Sequence, residues 1–225
     1  ILISYLVRIS IKALAIDMIE ESVEQGILTA DDLKEIETIT RKAYDSNALK
    51  KALVGEMCQI LNFDTNENFW SSGPANFTVN SWNITGLVDM DKAMMVSLFR
   101  EYIAACNKQG IKQSKEFQKL QKMTESASGI HIFLHLMMPD LGRVGKLDVR
   151  YLTERKAAMA GLAVERYRLK NGHYPNKLSD IAPEFIEEIP EDPFDGNDLR
   201  YKKLPDGFVV YSVGPDGIAN WPKGP

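Results

Sequence analysis

Helical periodicity runs through most of this 225-residue chain and then meets a tail that no helix can absorb, "DPFDGNDLRYKKLPDGFVVYSVGPDG", residues 192–217. Inside it, "LRYKKL" and "FVVYSV" flank Pro-Asp-Gly. Proline fixes φ and removes a backbone donor, while glycine takes left-handed backbone at little cost, so the pattern predicts a β-hairpin. Its turn is expected to be type I, with Gly207 in the left-handed position. "GPDG" closes the second strand with another turn. Upstream, "LDVRYLTERKAAMAGLAVERYRLKNG" predicts a long helix over roughly 147–170, stopped by Gly172. The connector "HYPNKLSDIAPEFIEEIPEDPFDG" holds four prolines and admits only short helical pieces. The expectation is a small α+β unit over 147–225, a long helix packed on a short antiparallel sheet. Its core would be Tyr167, Leu169, Tyr174, Leu178, Phe185, Ile189, Phe194, Tyr201, Phe208 and Tyr211. Burying each is worth about 1.5–3 kcal/mol.

Residues 1–146 read as a helical domain, so the fold class is mainly α. The opening "ILISYLVRISIKALAIDMIE" predicts a helix over 2–25, closed by Gly26. Ser4, Arg8 and Lys12 recur every four residues as one polar stripe, and the wide apolar remainder is expected to be buried. Thr29 is placed to cap a second helix, with Asp31 and Asp32 in its first turn. In "SNALKKALVGEMCQIL" Leu49, Leu53, Met57 and Ile60 or Leu61 share one side. Periodicity then stops. Residues 62–86, "NFDTNENFWSSGPANFTVNSWNITG", predict a long loop with a short strand at 77–84. Helices resume at "DMDKAMMVSLFREYIAACNKQG", with Asp89 as cap and Gly110 as stop, then at "KQSKEFQKLQKMTESAS" and at "IHIFLHLMMPDL", which ends near Pro139.

Net charge is −4, with lysines and arginines interleaved among acids, so no basic face for nucleic acid forms. Cys58 and Cys106 are too few and too far apart for a disulfide framework or a zinc knuckle. Arg8, Lys12 and Asp17 interrupt the apolar opening, so it falls short of the ~18 uncharged residues a membrane span needs. The chain opens on Ile1 rather than Met, which predicts a fragment; any leader or anchor would lie upstream of Ile1.

A motif set now stands in order: Tyr167, Gly172, Tyr174-Pro175, Leu178, Ile181, Pro190, Asp192-Pro193-Phe194, Gly196, Tyr201, Phe208 and Tyr211-Ser212-Val213-Gly214-Pro215-Asp216-Gly217. Over about 150–225 it resembles the C-terminal part of type II secretion major pseudopilins. In that family a helix ends at Gly-x-Tyr-Pro. A connector reaches Asp-Pro-Trp-Gly, and a small antiparallel sheet ends in Tyr/Phe-Ser-x-Gly-x-Asp-Gly. Here Phe194 replaces the Trp, Asp195 is inserted, and some 140 mostly helical residues precede the matching helix. The resemblance implies a non-enzymatic structural or interaction protein of the cell envelope, related to general secretion. It would face the periplasm, with an inner-membrane anchor only through a segment outside this chain. Its partners would be other proteins, secretion components or itself. The resemblance also implies a calcium loop at Ser212 and Asp216, although no acid follows Asp216 in "GIANWPKGP". Calcium wants six to eight oxygens, and a turn in which Asp216 bonds its own backbone is the plainer reading.

His131 and His135 stand at i and i+4 in "HIFLH", the spacing of two zinc ligands, but Ile132 follows where a metalloprotease has its Glu. They would serve a metal-dependent enzyme; partly buried helix histidines are the plainer reading. Phe69, Trp70 and Trp82 in the 62–86 loop would anchor a peptide or glycan if exposed together. Asp192, Asp195 and Asp198 suit Asx turns better than an EF-hand loop. Neither a nucleophile elbow nor a Gly-rich phosphate loop is present.

Overall fold

The computed structural model describes residues 2–62 and 86–217. The chain is mainly helical and ends on a two-stranded antiparallel sheet. In order come α1 (Leu2–Glu24), α2 (Ala30–Lys42), α3 (Ala48–Asn62), α4 (Leu87–Ala105), α5 (Gly110–Glu125), α6 (Ile132–Met137) and α7 (Leu141–Asn171). A 3-10 turn (Leu178–Ile181), β1 (Arg200–Leu204) and β2 (Gly207–Tyr211) follow. The expected loop with its strand at 77–84, and Phe69, Trp70 and Trp82 with it, lie outside the described residues.

Two compact units emerge, Ile1–Leu6 with Asn47–Lys146, and Val7–Ser46 with Leu147–Pro225. This differs from a cut at 146/147 in assigning residues 7–46 to the C-terminal unit. Side-chain contacts join the 7–46 segment to α7: Glu37 of α2 accepts from Arg166 Nη1 at 2.5 Å, and the Arg155 guanidinium stacks 4.2 Å over the ring of Tyr44, just past α2.

In the first unit, α4 supplies Val88, Met95, Phe99 and Tyr102 to the core, α5 Phe117 and Leu120, and α6 Phe133 and Leu134. The Tyr102 and Phe117 rings meet edge to face at 4.9 Å. Burial holds the Tyr102 hydroxyl well above its ordinary pKa. From α3, Leu49, Leu53 and Ile60 are buried as expected, while Leu61 faces out.

In the second unit, Ala160, Ala163 and Val164 of α7 form a flat small-residue floor for Leu178, Ile181, Phe185, Ile186 and Leu199. Tyr167, Tyr174, Ile189, Tyr201 and Phe208 pack on that cluster. Leu169 instead points to solvent, and Phe194 and Tyr211 are only half-buried. Asp192 and Arg200, beside them, turn the ends of the connector and hairpin into a polar corner.

The start and stop signals divide clearly. Thr29 caps α2 in a capping box with Asp32, and Gly26 and Gly172 take left-handed φ of 67° and 76° at helix ends. Asp89 does not cap α4; it sits in the first turn, because the helix starts from left-handed Gly86. Gly110 opens α5 rather than closing α4, which ends at Ala105. Helix α7 begins at Leu141, earlier than expected: Asp140 Oδ1 accepts from Arg143 N at 2.8 Å, an N-terminal cap. Gly145 does not break it. A Cβ there would lie 2.9 Å from Phe117, so the glycine serves close packing. Hairpin register pairs Leu204 with Gly207 across a two-residue loop, Pro205-Asp206. Gly207 therefore belongs to β2 without a left-handed φ, unlike Gly214 at 72° and Gly217 at 71°. On α1 the apolar remainder is only half buried. Leu2, Tyr5, Ile9 and Ile16 are inside, whereas Ile3, Val7, Ile11, Leu14 and Met18 face solvent.

Candidate functional site

The polar centre of the C-terminal unit is Asp192, fully buried at 0% exposure. An isolated carboxylate would not tolerate that position, because ions are several kcal/mol costlier inside than in water. Four donors compensate. Oδ1 accepts from Phe194 N at 2.9 Å and Ser212 Oγ at 2.8 Å. Oδ2 accepts from Val213 N at 2.9 Å and Arg200 Nη1 at 3.1 Å. The backbone closes around the same residue: Asp192 N donates to Asn197 O, Gly196 N to Asp192 O, and Leu199 N to Pro190 O. Gly196 allows this tight return with a φ of 78°.

Arg200 extends the node. It donates to Asp195 through both terminal nitrogens and to the Asp198 carbonyl. The Arg200 hydrogen bond, then that of Asn197, holds the Asp195 carboxyl well below the usual carboxylate range. Asp195 Oδ1 also accepts from Asn197 N at 3.0 Å. Asp192 and Asp195 thus both form the Asx turns read from the sequence. The wider role of Asp192 could not be found there, since Ser212 lies twenty residues away.

All four acceptor positions of the carboxylate are filled from within the fold. Asp192 is therefore a fastener. Ser212 Oγ donates to Asp192 and accepts from Gly214 N at 2.9 Å, which uses its donor and one of its two lone pairs. Asp216 lies beyond Gly214, its Oδ1 3.7 Å from where a Gly214 Cβ would stand. Ser212 Oγ meets the Asp192 carboxylate, and among the described residues no group of three or more His, Cys, Asp and Glu side chains could hold a metal.

The two histidines go separate ways. His131 precedes α6, and its Nδ1 lies 2.6 Å from Oδ1 of buried Asp91. Asp91 Oδ2 accepts from Leu134 N at 3.1 Å, so α4 caps α6, which has no side-chain cap of its own. His135 is exposed, with Nε2 3.4 Å from the Ala127 carbonyl.

Two grooves flank α7 within the C-terminal unit. One, of about 800 Å3, includes Arg41, Arg155, Lys156, Ile186 and Glu191 in its wall. Lys156 Nζ donates to the Glu191 carbonyl at 2.7 Å, and burial pulls the Lys156 pKa down. Arg155 Nε is the buried side-chain polar atom left without a hydrogen-bond partner among the described residues. The second, about 630 Å3, lies between α1, α7 and the hairpin, lined by Ile19, Val23, Gly161, Phe208 and Val210. No helix of the described residues is long and apolar enough to cross a membrane.

Compared with protein-family models, with curated proteins and with solved structures, the chain matched none.

Proposed function

We propose that this chain is a non-enzymatic structural or interaction protein of the cell envelope, with a pseudopilin-like C-terminal unit that faces the periplasm. The observation that carries this reading is the Asp192 node. The two motif groups behind the resemblance are Asp192-Pro193-Phe194 with Gly196, and Tyr211-Ser212-Val213-Gly214. They are hydrogen-bonded to each other through one buried carboxylate. A shared motif set is better supported as a family signature when its members need one another, because chance matches have no reason to converge. The long helix carrying the hairpin on Ala160, Ala163 and Val164 adds to the same reading.

The proposed role is scaffolding: a rigid corner, built from saturated polar groups, that presents a surface to other proteins, to secretion components or to its own copies. Any membrane attachment would come through a segment outside these residues.

Fractionation of cells expressing the full-length protein, with N-terminal sequencing and intact mass, tests it. A processed product in the membrane or periplasmic fraction is expected. An unprocessed product confined to the cytoplasm overturns the envelope role and leaves the tail as a fold used elsewhere.

A further inference from the structure

One groove beside α7 holds a cation that the fold leaves without a counter-charge. Four arginines are half-buried among the described residues, Arg155, Arg166, Arg168 and Arg200. Arg166 meets Glu37, Arg168 meets Glu165, and Arg200 meets Asp192 and Asp195. Arg155 meets no carboxylate among the described residues. Its guanidinium lies 4.2 Å over the Tyr44 ring, and its Nε is buried with no acceptor. Burial pulls its pKa down, and the nearby Arg41 charge adds to the effect. A native fold rarely leaves a buried donor unmet, and a desolvated charge without a partner is costlier still.

The neighbours deepen the excess. Arg155 lines the groove of about 800 Å3 together with Arg41 and Lys156. Arg41 shares Glu37 with Arg166, one negative charge against two positive. Lys156 donates to a neutral acceptor, the Glu191 carbonyl. A guanidinium steadied by an aromatic ring keeps its planar fork in one orientation, the geometry that two oxygens of a carboxylate or a phosphate accept. The opposite sign stands in the same wall. Glu187, Glu188, Glu191 and Asp198 are exposed there, and among the described residues none forms an ion pair with Arg41, Arg155 or Lys156. Those acids choose between the oxyanions. They repel a phosphate dianion, whereas a ligand with one carboxylate and one ammonium satisfies both signs. Met159, Ile186 and Ile189 give the wall an apolar part for short side chains.

We propose that this groove binds a short peptide, its carboxylate on Arg155 beside Lys156 and its ammonium toward Glu187 and Glu188. The peptide carboxylate is the counter-charge that Arg155 lacks. The inference rests on the second compact unit alone and stands whether or not the protein belongs to the envelope.

Calorimetric and NMR titrations of the whole chain with Lys-Ala-Ala, its C-terminal amide, acetylated Ala-Ala-Ala and inorganic phosphate read the outcome. Lys-Ala-Ala is expected to bind and to shift the amide resonances of α7 around Arg155 and of residues 186–191. Amidation removes the carboxylate charge and should weaken binding about tenfold or more; Arg155→Gln should do the same with the helical circular dichroism unchanged. Glu187→Gln combined with Glu188→Gln should weaken Lys-Ala-Ala and should not weaken acetylated Ala-Ala-Ala, which has no cation. The comparison of acid with amide needs no variant, so it decides the matter even where Arg155→Gln fails to fold. The proposal is overturned by no peptide binding, by equal affinity for acid and amide, by unchanged affinity in folded Arg155→Gln, or by Lys-Ala-Ala binding indifferent to the two glutamines. Phosphate bound more tightly than the peptide overturns it too, in favour of an inorganic oxyanion site.

Discussion

Asp192 concentrates more of the C-terminal unit's stability than its size suggests. Truncating it removes the acceptor for two backbone N–H groups, a hydroxyl and a guanidinium at once. Breaking a buried ionic group in this way costs about 3–5 kcal/mol. Asp192→Ala is therefore expected to lower the urea midpoint strongly, and Ser212→Ala, which deletes one neutral donor, by only about 1 kcal/mol. Near-equal losses would mean that the node is not the fastener described. Asp195 makes a different demand, on pH. Its folded pKa lies below the 3.8 of a free Asp, so the folded state binds fewer protons. The contribution is complete above pH 3.8 and is lost as pH falls through the lower folded value. The hairpin amide resonances should report this loss in acid, and Asp195→Asn should remove that limb of the titration. Local turn chemistry at both residues was legible in the sequence, because an Asx turn needs only a neighbour two positions on. The partners of Asp192 across the hairpin were not, because nothing in the spacing of a loop says which distant hydroxyl will arrive.

Among the elements, the glycines of α7 show how one residue type carries two meanings. A methyl at Gly145 would press into Phe117 at 2.9 Å, whereas one at Gly161 would sit 3.8 Å from Phe208, an ordinary contact. Alanine gains about 1 kcal/mol over glycine in a helix, and overpacking costs about 1–3 kcal/mol. Gly161→Ala should thus raise the melting temperature and Gly145→Ala should lower it; both moving together would mean that packing at Phe117 is looser than it stands here. The same glycines explain why α7 was expected to begin at 147. Gly142 and Gly145 after Pro139 look like breakers in one dimension, and only the approach of Phe117 reveals the second as a packing site. Caps were readable where the capping side chain lies in the same turn, as at Thr29, and unreadable where it arrives from another helix, as Asp91 does for α6. On α1, periodicity correctly marked a helix. It could not say which of two apolar faces turns inward, since both meet the same chemical criterion.

At the scale of the molecule, each unit has its own core and its own buried aspartate, Asp91 in one and Asp192 in the other, the second unit also burying Glu165. Among the described residues the two aspartates share no hydrogen-bonding partner. Asp91→Ala is expected to cost about 1.5–3 kcal/mol, the worth of hydrogen bonds to a charged group. The double variant Asp91→Ala, Asp192→Ala should equal the sum of the single losses within about 0.5 kcal/mol if each acts in its own unit. A larger deviation would show that α1 and α7, which contribute residues to both units, transmit strain along their length. The sequence revealed the class of the fold, helices followed by a small antiparallel sheet, because period and punctuation are local. It hid the grouping of residues 7–46 with the tail, because that depends on pairs such as Glu37 and Arg166, separated by 129 positions.

That grouping has a consequence for how the protein is made. Residues 7–46 leave the ribosome long before the α7 segment on which they depend. At about 5–20 residues per second, synthesis of the intervening stretch takes several seconds or more. Residues 47–146 have the means to collapse during that time, while α1 and α2 must wait without their permanent neighbours. Both apolar faces of α1 are then on offer to whatever the nascent chain meets first, and only one of them is later withdrawn into the fold. Chaperone capture during translation should therefore centre on the first 46 residues and should end once the long helix has emerged.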